Sequence, residues 1–206
     1  MAHLLHIDAS PHGEPSISRT LTAAFVTLWQ AQHPEDTITY RDLGYDQPVF
    51  VTESRTAVAF TTSKERTAAL TEAMQVSDEL VDEFLAADRY VLGISMHNFG
   101  VPAAFKTYID QILQVKRSFS YDADGYRGLG THRKALVITA RDGSSPLDTP
   151  PHFYNQQEPY LQLAFNFIGV TDIAFIHADS LAIGAEARNQ VSAKAQTAIQ
   201  AALAHW

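Results

Sequence analysis

The chain has 206 residues, 46% of them hydrophobic, with 15 basic and 23 acidic side chains and a formal charge of -8. That is enough apolar material for a large buried core, and the acidic balance disfavours nucleic acid or an anionic membrane as partner, since both need clustered Lys and Arg. The absence of cysteine removes disulfides, iron–sulfur clusters, thiolate zinc sites and a cysteine nucleophile together.

The amino terminus, Met1-Ala2-His3-Leu4-Leu5-His6-Ile7-Asp8, has neither the basic segment nor the apolar run of a signal peptide. No stretch approaches the roughly 18 uninterrupted apolar residues of a membrane span, so a cytoplasmic protein is expected. The first strand is read at His3–Asp8. Leu21, Ala24, Phe25, Leu28 and Trp29 then share one helical face. A second strand follows at Thr37–Asp42, and Leu43–Lys64 reads as irregular. Leu70, Ala73, Met74, Val81, Phe84 and Leu85 mark a helix after Arg66. Arg89–Met96 is a third strand whose consecutive apolar residues suit burial on both faces.

Phe105, Tyr108, Ile109, Ile112 and Leu113 mark the next helix, with Pro102 near its first turn. Ser118–Arg133 and Arg141–Pro151 read as irregular on either side of a fourth strand, Lys134–Thr139. A helix from Tyr160 to Ile168 stops at Gly169, and a fifth strand, Asp172–His177, leads to an Ala-rich helix at Ala185 to Leu203. Repeated β-α units at this spacing imply a three-layer α/β fold of flavodoxin type. It would have a five-stranded parallel sheet in the order 2-1-3-4-5, helices on both faces, and one domain over residues 1–206. In such sheets ligands sit beyond the carboxyl ends of the strands.

Three loops lie there. Ala9 to Ser18 opens the first helix, whose N-terminus suits a phosphate, with Ser10, Ser16 and Ser18 adding hydroxyls. It holds one glycine, Gly13, and no GxGxxG, which points to a terminal phosphate monoester; the alternative is that Ser16 or Ser18 only caps the helix. The second loop, Ser95 to Pro102, carries Met96, His97, Asn98 and Phe99, an arrangement able to lie along a flat heterocycle. The alternative is an ordinary turn with Phe99 packed inward. The third, Thr139 to Ser145, is made largely of small residues that permit close backbone approach.

Together these segments resemble the FMN-dependent NADH azoreductase / quinone reductase family. Ser10 with Ser16-Ile17-Ser18 resembles its phosphate loop, and Met96-His97-Asn98-Phe99 its Met-Tyr-Asn-Phe flavin-edge motif. Lys106, Tyr108 and Asp110 resemble the helix that comes next, and Phe119-Ser120-Tyr121 with Gly125 to Gly130 its aromatic hairpin. Phe167-Ile168-Gly169-Val170-Thr171-Asp172 resembles the lead into the last strand. The resemblance implies FMN as cofactor, with Ser10, Ser16, Ile17 and Ser18 on its phosphate. Met96, His97, Asn98 and Phe99 would line the isoalloxazine ring, and Ala140, Arg141, Asp142 and Gly143 would also contact the cofactor. Phe119, Tyr121 and Tyr126 would line the substrate side across a homodimer interface.

The implied reaction is ping-pong. NADH or NADPH gives a hydride to the flavin and leaves, and a quinone or azo compound takes its place and the electrons. His97 stands where the family has tyrosine and is a candidate proton donor. Ala140 and Asp142 replace the serine and first glycine of the family's Ser-Arg-Gly-Gly turn; Asp142, if it faces the ring, is expected to lower the flavin potential.

Other chemistries find no pattern. The nine histidines form no HExxH or close ligand cluster, and His3 and His6 face opposite sides of a strand, so no metal site is expected. GxSxG is absent, and the carboxylates are scattered. The competing readings are a general FMN or chromate-type reductase, a flavodoxin-type electron carrier without a nicotinamide site, and a binding module that has lost its cofactor.

Overall fold

Apolar runs bounded by turns make the strands, and amphipathic segments between them make the helices that cover the sheet. The computed structural model describes residues 1–206 except 14–15, 59–66, 142–153 and 182–183. In chain order the elements are β1 (His3–Asp8), α1 (Ile17–Gln32), β2 (Thr37–Asp42), α2 (Glu53–Val58), α3 (Ala68–Ala86), β3 (Arg89–Ser95) and α4 (Ala103–Ile112). They continue with β4 (Phe119–Asp122), β5 (Gly125–Gly128), β6 (Lys134–Ala140), α5 (Gln157–Ile168), β7 (Asp172–Ala178) and α6 (Ala185–Leu203).

Five strands form a parallel sheet in the order β2-β1-β3-β6-β7, which is the expected 2-1-3-4-5 arrangement once the small β4-β5 hairpin is set apart. The sequence patterns of the strands reflect their places. Val91-Leu92-Gly93-Ile94 and Ala135-Leu136-Val137-Ile138 are buried throughout because β3 and β6 are central, whereas the edge strand β2 (TITYRD) buries none of its residues fully. Side chains alternate between faces, so Leu5, Ile7, Leu92 and Val137 pack with α3, α4 and α5 through Phe84, Tyr108 and Phe165. Leu4, Val91, Leu136 and Ile138 pack with α1 and α6 through Phe25, Trp29, Ile199 and Leu203. Each fully buried side chain of this size contributes about 1.5–3 kcal/mol.

Helix ends obey local chemistry. Thr67 caps α3, its hydroxyl accepting the Leu70 N–H at 3.3 Å, and Gly169 ends α5 in the left-handed region at φ 103°. α5 begins at Gln157 rather than Tyr160, because the Asn155 side chain accepts the Glu158 N–H at 3.2 Å and Pro159 is tolerated in a first turn. The stretch expected to be irregular after β2 contains α2. It is only six residues long, too short for an apolar period, and rests on buried Arg55, whose Nε donates to Ser77 Oγ at 2.7 Å. Among the described residues no helix is long and apolar enough to cross a membrane, and no three His, Asp or Glu side chains are placed to share a metal ion.

Candidate active site

Parallel strands deliver their trailing loops to one edge, and backbone hydrogen bonds hold three of them side by side there. Ala9 N–H donates to Gly93 O at 2.9 Å, Met96 N–H to Ala140 O at 2.9 Å, and Arg141 N–H to Ala178 O at 2.9 Å. Ser10, Met96, Ala140 and Arg141 therefore stand along the carboxyl ends of β1, β3 and β6.

In the first loop Ser10, Ser16 and Ser18 are 1%, 6% and 0% exposed. Ser16 occupies the N-cap of α1, yet its side chain makes no capping bond; its Oγ lies 3.2 Å from Ser18 Oγ instead. The hydroxyl of Ser10 accepts the His12 N–H at 3.3 Å, which leaves its own proton to donate. Ile17 is the first helical residue, and the first turn of α1 holds no acidic side chain. Unpaired N–H groups and the positive end of the dipole thus meet three hydroxyls, a donor set suited to a phosphate monoester.

The second loop is a two-residue turn. His97 N–H donates to Gly100 O and Gly100 N–H to His97 O, both at 3.0 Å, with Asn98 at φ 47° and Phe99 at φ 74°. Two consecutive left-handed residues are the type I′ geometry, which asparagine accepts and phenylalanine resists by roughly 1–2 kcal/mol. Neighbours impose it: Gln156 N–H donates to Phe99 O at 3.1 Å and the Tyr154 ring lies 5.6 Å from that of Phe99. The consequence is that Phe99 does not pack inward but is 54% exposed at the mouth of the loop. Met96 and His97 are half-buried, and His97 Nε2 lies 3.0 Å from Ser95 Oγ.

At the third loop Ala140 is buried, while Asp142 and Gly143 lie outside the described residues. Arg141 enters a network that sequence spacing does not reveal. Its guanidinium is 2.9 Å from Asp179 and 2.5 Å from His177 Nδ1, which Thr139 Oγ1 also approaches at 2.8 Å. His177 Nε2 faces Glu158 at 3.3 Å. Burial, then the Arg141 cation, hold His177 below its ordinary pKa against the pull of Glu158 and Asp179. Gln157 is buried nearby and donates to Ile94 O at 3.2 Å, tying the start of α5 to the end of β3. These residues come from four separate segments, so no local motif could have marked them.

The aromatic hairpin is not with these loops. Gly128 and Gly130 pack on Ile168 and Gly169, and Phe167 lies 4.9 Å from Phe119 and 4.2 Å from Tyr126 by ring centroids. That is the last turn of α5, whose first turn touches the end of β3; twelve helical residues, about 18 Å, separate the two. Within one chain, Phe119 and Tyr126 stand toward the amino ends of the strands, opposite the three loops. Tyr121 and Tyr126 remain 75% and 41% exposed.

The sequence pattern of the flavodoxin-like fold family matches residues 2–203. The chain is 53% identical, over the whole of both proteins, to an FMN-dependent NADH:quinone oxidoreductase of Nostoc punctiforme. It is 40% identical to one of Acidovorax ebreus, across 96% of this chain and 92% of the relative. Among solved structures it superimposes on an azoreductase of Bacillus anthracis with TM-score 0.90 at 23% identity, covering both chains completely. An FMN-dependent NADH-azoreductase of the same organism, in complex with FMN, gives TM-score 0.83 at 24% identity over 98% of this chain and 99% of the other; at these identities the likeness concerns the fold.

Proposed function

The chain belongs to the flavodoxin-like fold family, and from that premise we propose that it is an FMN-dependent oxidoreductase. As one FMN-binding unit, it would pass electrons from NADH or NADPH to quinones and azo compounds. The observation that carries the reading is the cradle at the start of α1. Three buried hydroxyls meet a helix N-terminus whose first turn holds no acidic side chain, and the neighbouring turn after β3 presents an exposed aromatic ring.

Ser10, Ser16 and Ser18, with the Ile17 N–H, hold the phosphate of FMN; each such hydrogen bond to a charged group is worth about 1.5–3 kcal/mol. Met96, Asn98 and Phe99 lie along the ring system, and the strained turn fixes Phe99 outward where a flat molecule can stack. Ala140 and Arg141 border it on the β6 side, with Arg141 held by Asp179 and His177 so that its charge points along a fixed direction. FMN, when bound, supplies the hydride acceptor and two-electron donor that no side chain here provides. His97, close to Ser95 Oγ, stands where a proton can be handed to a reduced acceptor.

A homodimer completes the site. Phe119, Tyr121 and Tyr126 lie far from the loops of their own chain, so they can cover a flavin only by reaching the site of a second copy. Two sites per dimer would then each join one chain's loops to the other's hairpin. The cytoplasm, where nicotinamide donors are available in reduced form, suits this chemistry.

The test is an absorbance spectrum after reconstitution with FMN, followed by anaerobic NADH or NADPH and then a quinone. Retained flavin that bleaches with the nicotinamide and recovers with the quinone is the expected result. Flavin that stays bound but is reduced by neither nicotinamide would make the protein an electron carrier instead.

A further inference from the structure

Behind the phosphate cradle lies a side chain that touches none of the proposed ligand atoms. Arg19 comes directly after Ser18 on α1 and folds back under the loop, its side chain only 13% exposed. Its Nε and Nη2 donate to the carbonyl of Ser10 at 3.2 and 2.7 Å. Its Nη1 and Nη2 also donate to the carboxylate of Asp42, at the end of β2, at 2.6 and 2.5 Å, a two-pronged pair.

Asp42 is anchored in turn. Its Oδ1 accepts the N–H groups of Gly44 and Tyr45 at 3.0 and 3.2 Å, and Tyr40 OH approaches its Oδ2 at 3.1 Å. Burial alone would raise the Asp42 carboxyl, but Arg19 and the N–H donors hold it below its usual range. The turn after β2 comes so close that a Cβ on Gly44 would fall on the Ser10 carbonyl oxygen. The Tyr45 ring closes the cluster, with the Arg19 guanidinium 5.2 Å from its centroid.

This clamp has a direction. A peptide carbonyl in a phosphate cradle repels the ligand, and Ser10 precedes Pro11, so its peptide unit brings no N–H in exchange. Arg19 draws that carbonyl away from the cradle while the Ser10 hydroxyl stays with His12. We propose that Arg19, braced by Asp42, is a positioning residue for the phosphate end of the flavin: it sets Ser10 so that only donors face the phosphate. Its own charge is answered by Asp42, so it works by geometry rather than by field. The inference rests on the cradle being an FMN phosphate site.

Riboflavin, which shares the ring and ribityl chain but lacks the phosphate, separates this role from simple support of the fold. Dissociation constants for FMN and riboflavin are measured by flavin fluorescence quenching on the wild-type protein, Arg19→Met and Arg19→Lys, each checked by circular dichroism. Both substitutions should weaken FMN about tenfold, the scale of one lost charge-assisted hydrogen bond, and leave riboflavin unchanged. Lysine should not rescue, because one ammonium cannot hold the Ser10 carbonyl and both carboxylate oxygens.

A groove of about 600 Å³ lined by Asp8, Arg19, Ala23, Tyr40 and Asp42 opens beside the clamp. Added guanidinium ion should therefore restore FMN binding to Arg19→Ala. Should the Arg19 variants fail to fold, Asp42→Asn keeps the side-chain shape and should shift the FMN-to-riboflavin ratio in the same direction. FMN and riboflavin weakened equally, neither weakened, or full rescue by lysine would each overturn the proposal. A wild-type protein that prefers FMN no more than riboflavin would instead sink the cofactor reading itself.

Discussion

Replacing Gly128 by alanine tests how the hairpin is seated. Gly128 has no positive φ, so the backbone accepts alanine without strain and any effect comes from contact. The new Cβ would fall 2.6 Å from the carbonyl oxygen of Ile168, and closer still to the Ile168 carbon and the Gly169 nitrogen, all of them backbone atoms. Ordinary contact begins at 3.4 Å and the nearest of these atoms lies at 2.4 Å, so β5 must lift by about 1 Å.

That movement stretches the 2.7 Å bond from Gly130 N–H to Ile168 O and opens the Tyr126–Phe167 and Phe119–Phe167 pairs. One hydrogen bond at about 1 kcal/mol and two aromatic pairs at about 0.5–1 kcal/mol each make a loss of about 2–3 kcal/mol. For a chain of this length the melting temperature should fall by roughly 4–12 °C. Urea or thermal unfolding followed by circular dichroism measures it. A melting temperature within one or two degrees of wild type would refute the packing argument.

His177 gives a pH dependence. Held below its ordinary value of 6.5, it is neutral in the folded protein while the unfolded chain binds a proton there, so its contribution to stability is complete above that pH and is lost as pH falls below it. His177→Gln should flatten this limb when wild type and variant are compared by urea unfolding between pH 7.5 and 5; parallel curves would count against it. Thr22→Val removes the hydroxyl that approaches buried Asp8 at 2.9 Å and should cost about 1–3 kcal/mol with no change in fold, as read by equilibrium unfolding. His97→Phe should slow quinone and azo turnover while leaving flavin reduction by nicotinamide intact; equal turnover at every pH would remove the donor role. Analytical ultracentrifugation should find a dimer, and Tyr126→Ala, which alters the hairpin, should lower acceptor turnover more than FMN affinity.

Much of the fold was legible because it is written in local periods. The buried runs in β3 and β6, the helical spacing of Leu21 to Trp29, and Gly169 after Ile168 each need only a few consecutive residues, and the structure has all of them where the periods put them. The loops were legible by topology, since parallel strands all point the same way and must release their loops at one edge. Contact between distant segments leaves no such local trace. The helix α2 depends on Arg55 meeting Ser77, and the outward turn of Phe99 depends on Gln156 and Tyr154 imposing a left-handed backbone that its own type disfavours.

The sequence by itself therefore determined the layering of helices on a parallel sheet, the order of the strands and the release of three loops at one edge of the sheet. Only the tertiary structure decided that Ser16 leaves its capping bond unmade, that Arg19 reaches Ser10 and Asp42 at once, and that the aromatic hairpin sits at the far end of its own chain. The reason is range. Secondary structure answers to neighbours three or four residues away, whereas a site is made by groups tens of residues apart whose positions the packed core alone can set.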